Sequence, residues 1–330
     1  MTPTISDTNV KAALAAIESD IATVSEKIEM LIEMAAGLQN KPKTPQQLED
    51  AVSLYCRGLE LCPPDYPLLR ARCLSGMGTA LRTIPYEGPD VLLEAKTAYE
   101  TALPILEEYA SPEEVAETQM NLGVVLQGLV GFHQATMPEA VQAYQKAVRV
   151  FTGESYPQEY AILQNNIAIA YLSMPLSPEK DKMRQGMAVQ SFEAALQWVT
   201  LIDHPTEYAM LQNNLANALQ YLSSTHPIEN NLKALAAYDE ALKVRNAQDM
   251  PIEYANTIAN KANVLFNLPD DVEHPEFGNA NNLRQSQAYY QEAKKIFSDY
   301  GQIERANIVA EMLKDIEKEL SVFTHNSSLN

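Results

Sequence analysis

Apolar residues along this chain recur at three- and four-residue intervals, the spacing that puts them on one face of an α-helix. The pattern opens at the amino terminus. Leu14, Ile17, Ile21, Val24, Ile28, Leu31, Ala35 and Leu38 follow a 3-4-3-4-3-4-3 spacing, which is a heptad seam. It predicts one long helix over 8–38, capped at Asp7 or Thr8 by a side-chain oxygen that meets a free backbone N–H. Two uses fit the seam: pairing with a second copy, or covering the apolar face of the first element behind it. Gly37 and the segment 39–45, with Pro42 and Pro45, end the helix.

From Pro45 the pattern becomes paired helices. The second helix of each pair carries an aromatic flanked by small residues four before and three after. The aromatics are Tyr55, Tyr99, Tyr144, Phe192, Tyr238 and Tyr290. The small residues before them are Ala51, Ala95, Ala140, Ala188, Ala234 and Ser286, and those after are Gly58, Ala102, Ala147, Ala195, Ala241 and Ala293. These positions share one helical face, where small residues let a neighbouring helix approach and the ring fills the space between them.

The first helices begin at Pro67, Pro112, Pro157, Pro205 and Pro251, so the repeat spacings are 45, 45, 48 and 46 residues. Two of the copies are almost word for word: Pro157-Gln-Glu-Tyr-Ala-Ile-Leu-Gln-Asn-Asn-Ile-Ala and Pro205-Thr-Glu-Tyr-Ala-Met-Leu-Gln-Asn-Asn-Leu-Ala. Eleven residues after each proline stands a small residue: Gly78, Gly123, Ala168, Ala216 or Ala262. A proline suits the first turn, where its missing N–H is not needed. A fixed period of this size means one supersecondary unit stacked into an array.

The Asn-Asn-Leu-Ala and Asn-Asn-Ile-Ala words, with the small-residue and aromatic offsets, resemble the tetratricopeptide repeat over roughly residues 45–297. The resemblance implies an all-α, right-handed superhelical solenoid of helix pairs. Residues 1–44 are then a capping or dimerising helix with its linker, 45–300 the repeat array, 301–323 a capping helix and 324–330 a disordered tail. The period exceeds the family's 34 residues, and the excess is expected between the helices of a pair, as in Ser173–Lys182. Lys261 stands where the motif has a core Leu, which predicts loose packing there.

The resemblance also implies a concave groove lined by the first helices. Its candidate peptide-binding residues are Arg72, Arg82, Asn121, Asn166, Asn213, Asn214, Asn217, Tyr221, Asn260, Asn263 and Asn267. Asn offers a donor and an acceptor, so a ladder of them can pair with a peptide backbone whatever its sequence. Some of these Asn have an alternative use in holding the stack together. Asn217, Asn263 and Asn267 are positions that tandem packing is not expected to require. Arg72 and Arg82, with Arg70, make the amino-terminal end locally basic.

Composition narrows the partner. The 330 residues carry net charge −19, a surface that repels phosphate backbones and argues against nucleic acid. No apolar run approaches the roughly 20 residues of a membrane span. The amino terminus lacks a basic n-region and apolar core, and the three cysteines are an odd number, so a reducing, cytoplasmic setting is expected. Cys56, Cys62 and Cys73 lack metal-site spacing. His204, His226 and His274 each precede a proline, which is turn chemistry. No phosphate loop or nucleophile elbow occurs, so neither a cofactor nor enzymatic activity is expected.

The leading expectation is a protein–protein interaction scaffold or assembly chaperone for a protein or peptide client, as monomer or homodimer. Two alternatives stand beside it. One is a regulatory peptide sensor that signals through a dimerising amino-terminal helix. The other is a maturation factor for a metalloenzyme subunit.

Overall fold

The structure, a computed structural model, describes residues 8–19, 21–85, 87–174, 178–222 and 226–327. Fourteen α-helices and no strand occur among them, and the fold is an all-α helical-repeat solenoid. The chain divides into two compact units, Met1–Thr152 and Gly153–Asn330. The array expected as one run from 45 to 300 is therefore shared between them.

In the first unit, α1 is Thr8–Ser19 and three pairs follow: α2 (Val24–Asn40) with α3 (Pro45–Leu61), α4 (Pro67–Thr83) with α5 (Asp90–Tyr109), and α6 (Pro112–Val130) with α7 (Met137–Val148). In the second unit, α8 (Pro157–Ser173) pairs with α9 (Pro178–Leu196), α10 (Pro205–Gln220) with α11 (Pro227–Leu242), and α12 (Pro251–Phe266) with α13 (Ala280–Asp299). Helix α14 (Ile303–Ser327) packs on α13 and continues four residues beyond its expected end at 323. The residues 328–330 of the expected tail, like Asp7, lie outside the described residues.

The heptad stretch is two helices, not one. Thr23 caps α2, accepting from the Glu26 N–H at 3.4 Å while its own N–H donates to Glu26 Oε2 at 2.7 Å. That reciprocal box starts a new helix in the middle of the seam. Ile21 is left fully exposed, whereas Ile28, Leu31 and Ala35 are fully buried. Helix α2 packs on α3 and α4, so it is the first helix of the first pair. Periodicity alone cannot register such a break, because the apolar spacing runs straight across it.

The aromatic rule has a direct steric basis. Tyr55, Tyr99, Tyr144, Phe192 and Tyr238 are at most 1% exposed. Each ring in the α4/α5 and α6/α7 pairs lies against the small residue of its partner helix. A Cβ added at Gly78 would sit 2.9 Å from Tyr99 Cε1, and one at Gly123 would sit 2.4 Å from Tyr144 Cε1. In the second unit, Ala168 and Phe192 share one apolar cluster with Ala216 and Tyr238, and Ala262 joins Tyr290 in the next.

Two other expectations are revised. The stretch Ser173–Lys182 is not all connection, because α9 begins at Pro178. Most of the paired helices run to 16–20 residues, so the long period lies in the helices as well as between them. Lys261 does not loosen the last repeat. Its ammonium pairs with Asp239 and stands 5.2 Å from the Tyr289 ring centroid, with its side chain only 13% exposed. The aliphatic stem takes the place of a core residue while the charge is satisfied at its end.

Gly123→Ala and Gly186→Ala gain equal helix propensity in opposite surroundings, since nothing lies within 4 Å of a Cβ at Gly186. We predict that Gly186→Ala stabilises the protein by about 0.5–1 kcal/mol. Gly123→Ala should destabilise it by about 1–3 kcal/mol through the clash with Tyr144. Urea unfolding of both variants checks the opposite signs.

Candidate functional site

The residues expected to line a groove lie on α4, α6, α8, α10 and α12, with Tyr221 and Asn267 just past the ends of α10 and α12, and most have a traceable role. Arg72 donates from Nε and Nη2 to the two carboxylate oxygens of Glu114, both at 2.8 Å. This bidentate pair ties α4 to α6 and neutralises the Arg72 share of the charge expected, with Arg70 and Arg82, to make that end basic. The Arg72 guanidinium in turn holds the Glu114 carboxyl below its ordinary range. Beside it Ser75 and Thr118 meet at 3.0 Å. Because the Thr118 hydroxyl donates to Glu114 O at 2.8 Å, Ser75 is the donor to Thr118.

In the second unit Asn213, Asn214, Asn165 and Asn166 form one directional chain. Arg245 Nη1 donates to Thr257 Oγ1 at 2.9 Å. Thr257 Oγ1 lies 3.1 Å from Asn213 Oδ1 and 2.8 Å from Glu253 O, so its single proton is shared between them. Asn213 Nδ2 donates to Asn214 Oδ1 at 3.1 Å, Asn214 Nδ2 to Asn165 Oδ1 at 2.7 Å, and Asn165 Nδ2 to Asn166 Oδ1 at 3.4 Å. The chain crosses from α12 to α10 to α8. Asn165 and Asn213 are 6% exposed, where an unpaired amide would be costly. Hydrogen bonds aligned head to tail polarise one another. Asn213 and Asn214 therefore join the repeats, the alternative the sequence left open for them.

A second set of polar positions serves the buried rings. The Tyr99 hydroxyl meets Thr79 Oγ1 at 3.0 Å and donates to it, since Thr79 donates to Ser75 O. Tyr144 donates to Gln127 Oε1 at 3.0 Å, and Tyr238 to Asn217 Oδ1 at 2.5 Å. Asn217 thus has a packing role within its own repeat, contrary to expectation. The exception among the rings confirms the logic: Phe192 has no hydroxyl, and the residues equivalent to Asn217 and Gln220 in its pair are Ile169 and Leu172. Arg82 stands beside the Tyr99 hydroxyl, where its charge opposes the upward push that burial gives the phenol.

What remains toward solvent is a narrower set. Asn166, Asn217, Asn260 and Asn263 are half-buried, and Asn267 and Tyr221 are exposed. Asn263 Nδ2 donates to the Tyr221 hydroxyl at 3.4 Å, joining α12 to the end of α10. Asn267 donates to Asn263 O of its own helix at 2.8 Å. Asn121 is buried at 8% exposure. One feature escaped sequence reasoning: Arg184, near the start of α9, lines a cavity of about 280 Å³ with Tyr171, Leu172, Asp181, Gln185, Asn217, Ala218 and Tyr221. Its only sequence signal is that it falls in the longest repeat.

The residues with inherent reactivity are occupied in packing. Burial raises all three thiols, Cys73 to about 12, so none is a poised thiolate at neutral pH. His204 and His226 stand at the N-cap positions of α10 and α11, and His274 at that of a short 3-10 turn, each before a proline. The Trp198 ring packs on the backbone of Gly153, where an added Cβ would lie 2.2 Å from Cδ1.

The Tyr238–Asn217 bond gives a clean test of the packing role. Tyr238→Phe is expected to cost about 1 kcal/mol by stranding the amide oxygen. Adding Asn217→Ile, which copies the Phe192 and Ile169 combination, should recover most of that loss. A double-mutant cycle in urea with no coupling contradicts the assignment. Glu114→Gln is expected to lower stability at pH 7 by up to about 1 kcal/mol, because both partners are partly exposed. The depressed Glu114 carboxyl contributes stability that is present above the ordinary carboxylate range and lost as pH falls through its lowered value. The variant's deficit should therefore shrink toward pH 2 in thermal melts.

No family model matches this chain, and no curated protein matches it. Solved structures do. BtubC (BKLC) from P. vanneervenii is similar over 89% of this chain and 93% of its own, at 16% identity and a TM-score of 0.52. A Rap protein complexed with competence and sporulation factor aligns over 93% of this chain and 80% of its own, at 11% identity and a TM-score of 0.42. The TPR2AB domain of yeast Sti1, in complex with pHSP90, aligns over 89% of this chain and 99% of its own, at 13% identity and a TM-score of 0.30. The likeness to BtubC is one of fold alone: an all-α helical-repeat chain.

Proposed function

We propose that this chain is a non-enzymatic scaffold that holds an extended polypeptide along the first-helix face of its second unit. The observation that carries this reading is the division of labour among the amides. Asn165, Asn213 and Asn214 hold α8, α10 and α12 in register. Asn166, Asn260, Asn263 and Asn267 stand on the same helices with surface open to solvent. A fixed row of groups that both donate and accept suits a peptide backbone. Its order is already established before binding, which lowers the entropic cost of association.

A client in an extended conformation supplies unpaired N–H and C=O groups in the same two kinds. The proposal concerns the second unit because the polar residues of α4 and α6 are largely paired with each other. The sensor alternative needs an apolar seam free to dimerise. Ile28, Leu31 and Ala35 of that seam are fully buried in a unit where α2 packs on α3 and α4, so the scaffold reading is the one supported. Among the described residues no helix is long and apolar enough to cross a membrane.

The test uses Asn260→Ala/Asn263→Ala/Asn267→Ala, which leaves the Asn213–Asn214–Asn165 chain intact, as bait beside wild type in affinity capture from cell extract. Circular dichroism verifies that both are folded. A client retained by wild type and reduced at least about tenfold with the variant is expected, since several backbone hydrogen bonds are lost together. Equal retention by the two baits contradicts binding on this face.

A further inference from the structure

The first unit carries an open cleft of about 800 Å³ at the start of α4, beside the start of α2 and the end of α5. Pro67, Leu68 and Leu69 give it an apolar lining, and Tyr66 and Tyr109 line it as well, at 41% and 51% exposure. Exposed tyrosines beside an apolar cleft offer flat faces for stacking. Glu29 from α2 and Asp65 from the turn before α4 bring carboxylates to the same lining. Both are exposed, and neither is held by a hydrogen bond or ion pair among the described residues.

Two features of the lining oppose a cation, and each is offset. Arg72 is committed to Glu114 by both of its forked bonds, so that pair adds no net charge, and Arg70 stands by Cys62, outside the lining. The positive ends of α4 and α2 also lie here, at Pro67 and Ser25. The α2 end is met by the Glu26 carboxylate, which accepts from the Thr23 N–H at 2.7 Å. The α4 end is offset by the negative end of α5, which finishes at Tyr109 in the same lining. The balance is three carboxylates, Glu29, Asp65 and Glu114, against one guanidinium. An aromatic cleft with excess negative charge favours a cation that lies flat on a ring. A guanidinium does so and also forks to a carboxylate, whereas an ammonium is a strongly hydrated point charge that keeps its water in an open cleft.

We propose that this cleft binds an arginine side chain of a partner protein, its guanidinium on the faces of Tyr66 and Tyr109 and paired with Glu29 and Asp65, its methylenes against Pro67 and Leu68. The volume lies within the roughly 300–1,000 Å³ of ligand pockets, room for the arginine and the residues on either side of it. The site belongs to the first unit and the amide face to the second, and neither depends on the other, so either can fail alone. The net charge of −19 draws basic partners to the whole surface. The cleft adds a fixed place where one basic side chain is held.

The test titrates the full-length protein, isotope-labelled at its tyrosine rings, with blocked tripeptides that carry Arg, citrulline, Lys or Glu between glycines. Binding is followed by NMR, with Tyr66 and Tyr109 assigned from the signals missing in Tyr66→Phe and Tyr109→Phe. The Arg peptide is expected to shift both signals and to leave exposed Tyr300 unmoved. It should bind about fivefold tighter than its neutral isostere with citrulline, the order for two exposed charge pairs. The Lys peptide should bind about threefold weaker than the Arg peptide, because it does not stack. Glu29→Gln/Asp65→Asn removes no bond that holds the fold and should bring the Arg peptide down to the citrulline level. Several results overturn the proposal: Arg and citrulline peptides binding equally, Lys binding as tightly as Arg, or preference for the Glu peptide. Shifts at Tyr300 as large as those at Tyr66 and Tyr109, or an unchanged Arg affinity in the double variant, overturn it as well.

Discussion

A ring in a notch is the contact on which this structure depends. Each second helix offers one large aromatic, and its partner offers Gly or Ala at the place the ring must enter. The notch at Gly123 is so close that a single methyl would overlap the Tyr144 ring. Close packing of this kind fixes the separation and rotation of the two helices together. It also buries a phenol hydroxyl, and that hydroxyl needs a partner. The polar residue next to the notch or one turn further along the first helix supplies it: Thr79, Asn217 or Gln127. The identity of a residue that looks free to bind is thus partly dictated by a ring on another helix.

Stacking imposes a second constraint. Neighbouring first helices meet through polar side chains in both units, by an ion pair and a hydroxyl pair between α4 and α6, and by amides and a threonine from α8 to α12. Directional bonds of this sort specify one register, where an apolar seam of similar area would tolerate sliding. The same bonds set the side chains next to them in fixed positions. That is why a face rich in amides serves both as the joint between repeats and as the row offered to a client. In one Asn-Asn word the two roles fall to adjacent residues, Asn165 in the joint and Asn166 beside it, whereas Asn213 and Asn214 both belong to the joint.

The parts legible in sequence were those set by local spacing. The helix pairs, the ring positions and the prolines at helix starts all follow from offsets within one repeat, and five copies at fixed offsets made them plain. The break before Val24 was not legible, because the apolar period continues through it and a capping box of Thr23 and Glu26 decides the matter. Which Asn of each pair faces a neighbour was also hidden, since it depends on the packing of helices 44–49 residues apart. Arg184 was missed for a similar reason. Its stretch reads as a polar connection, and only the fold brings it against the end of α8 and the Tyr221 side of α10.

The central claim, that a polypeptide lies on the first-helix face of the second unit, is most directly tested by site-specific photocrosslinking. A benzophenone side chain would be placed in turn at Asn263 on α12 and at exposed Lys233 on α11, and each protein irradiated in cell extract. The account predicts a discrete covalent adduct from position 263 and none from position 233. An adduct from 233 alone would place the client on the second helices and contradict it.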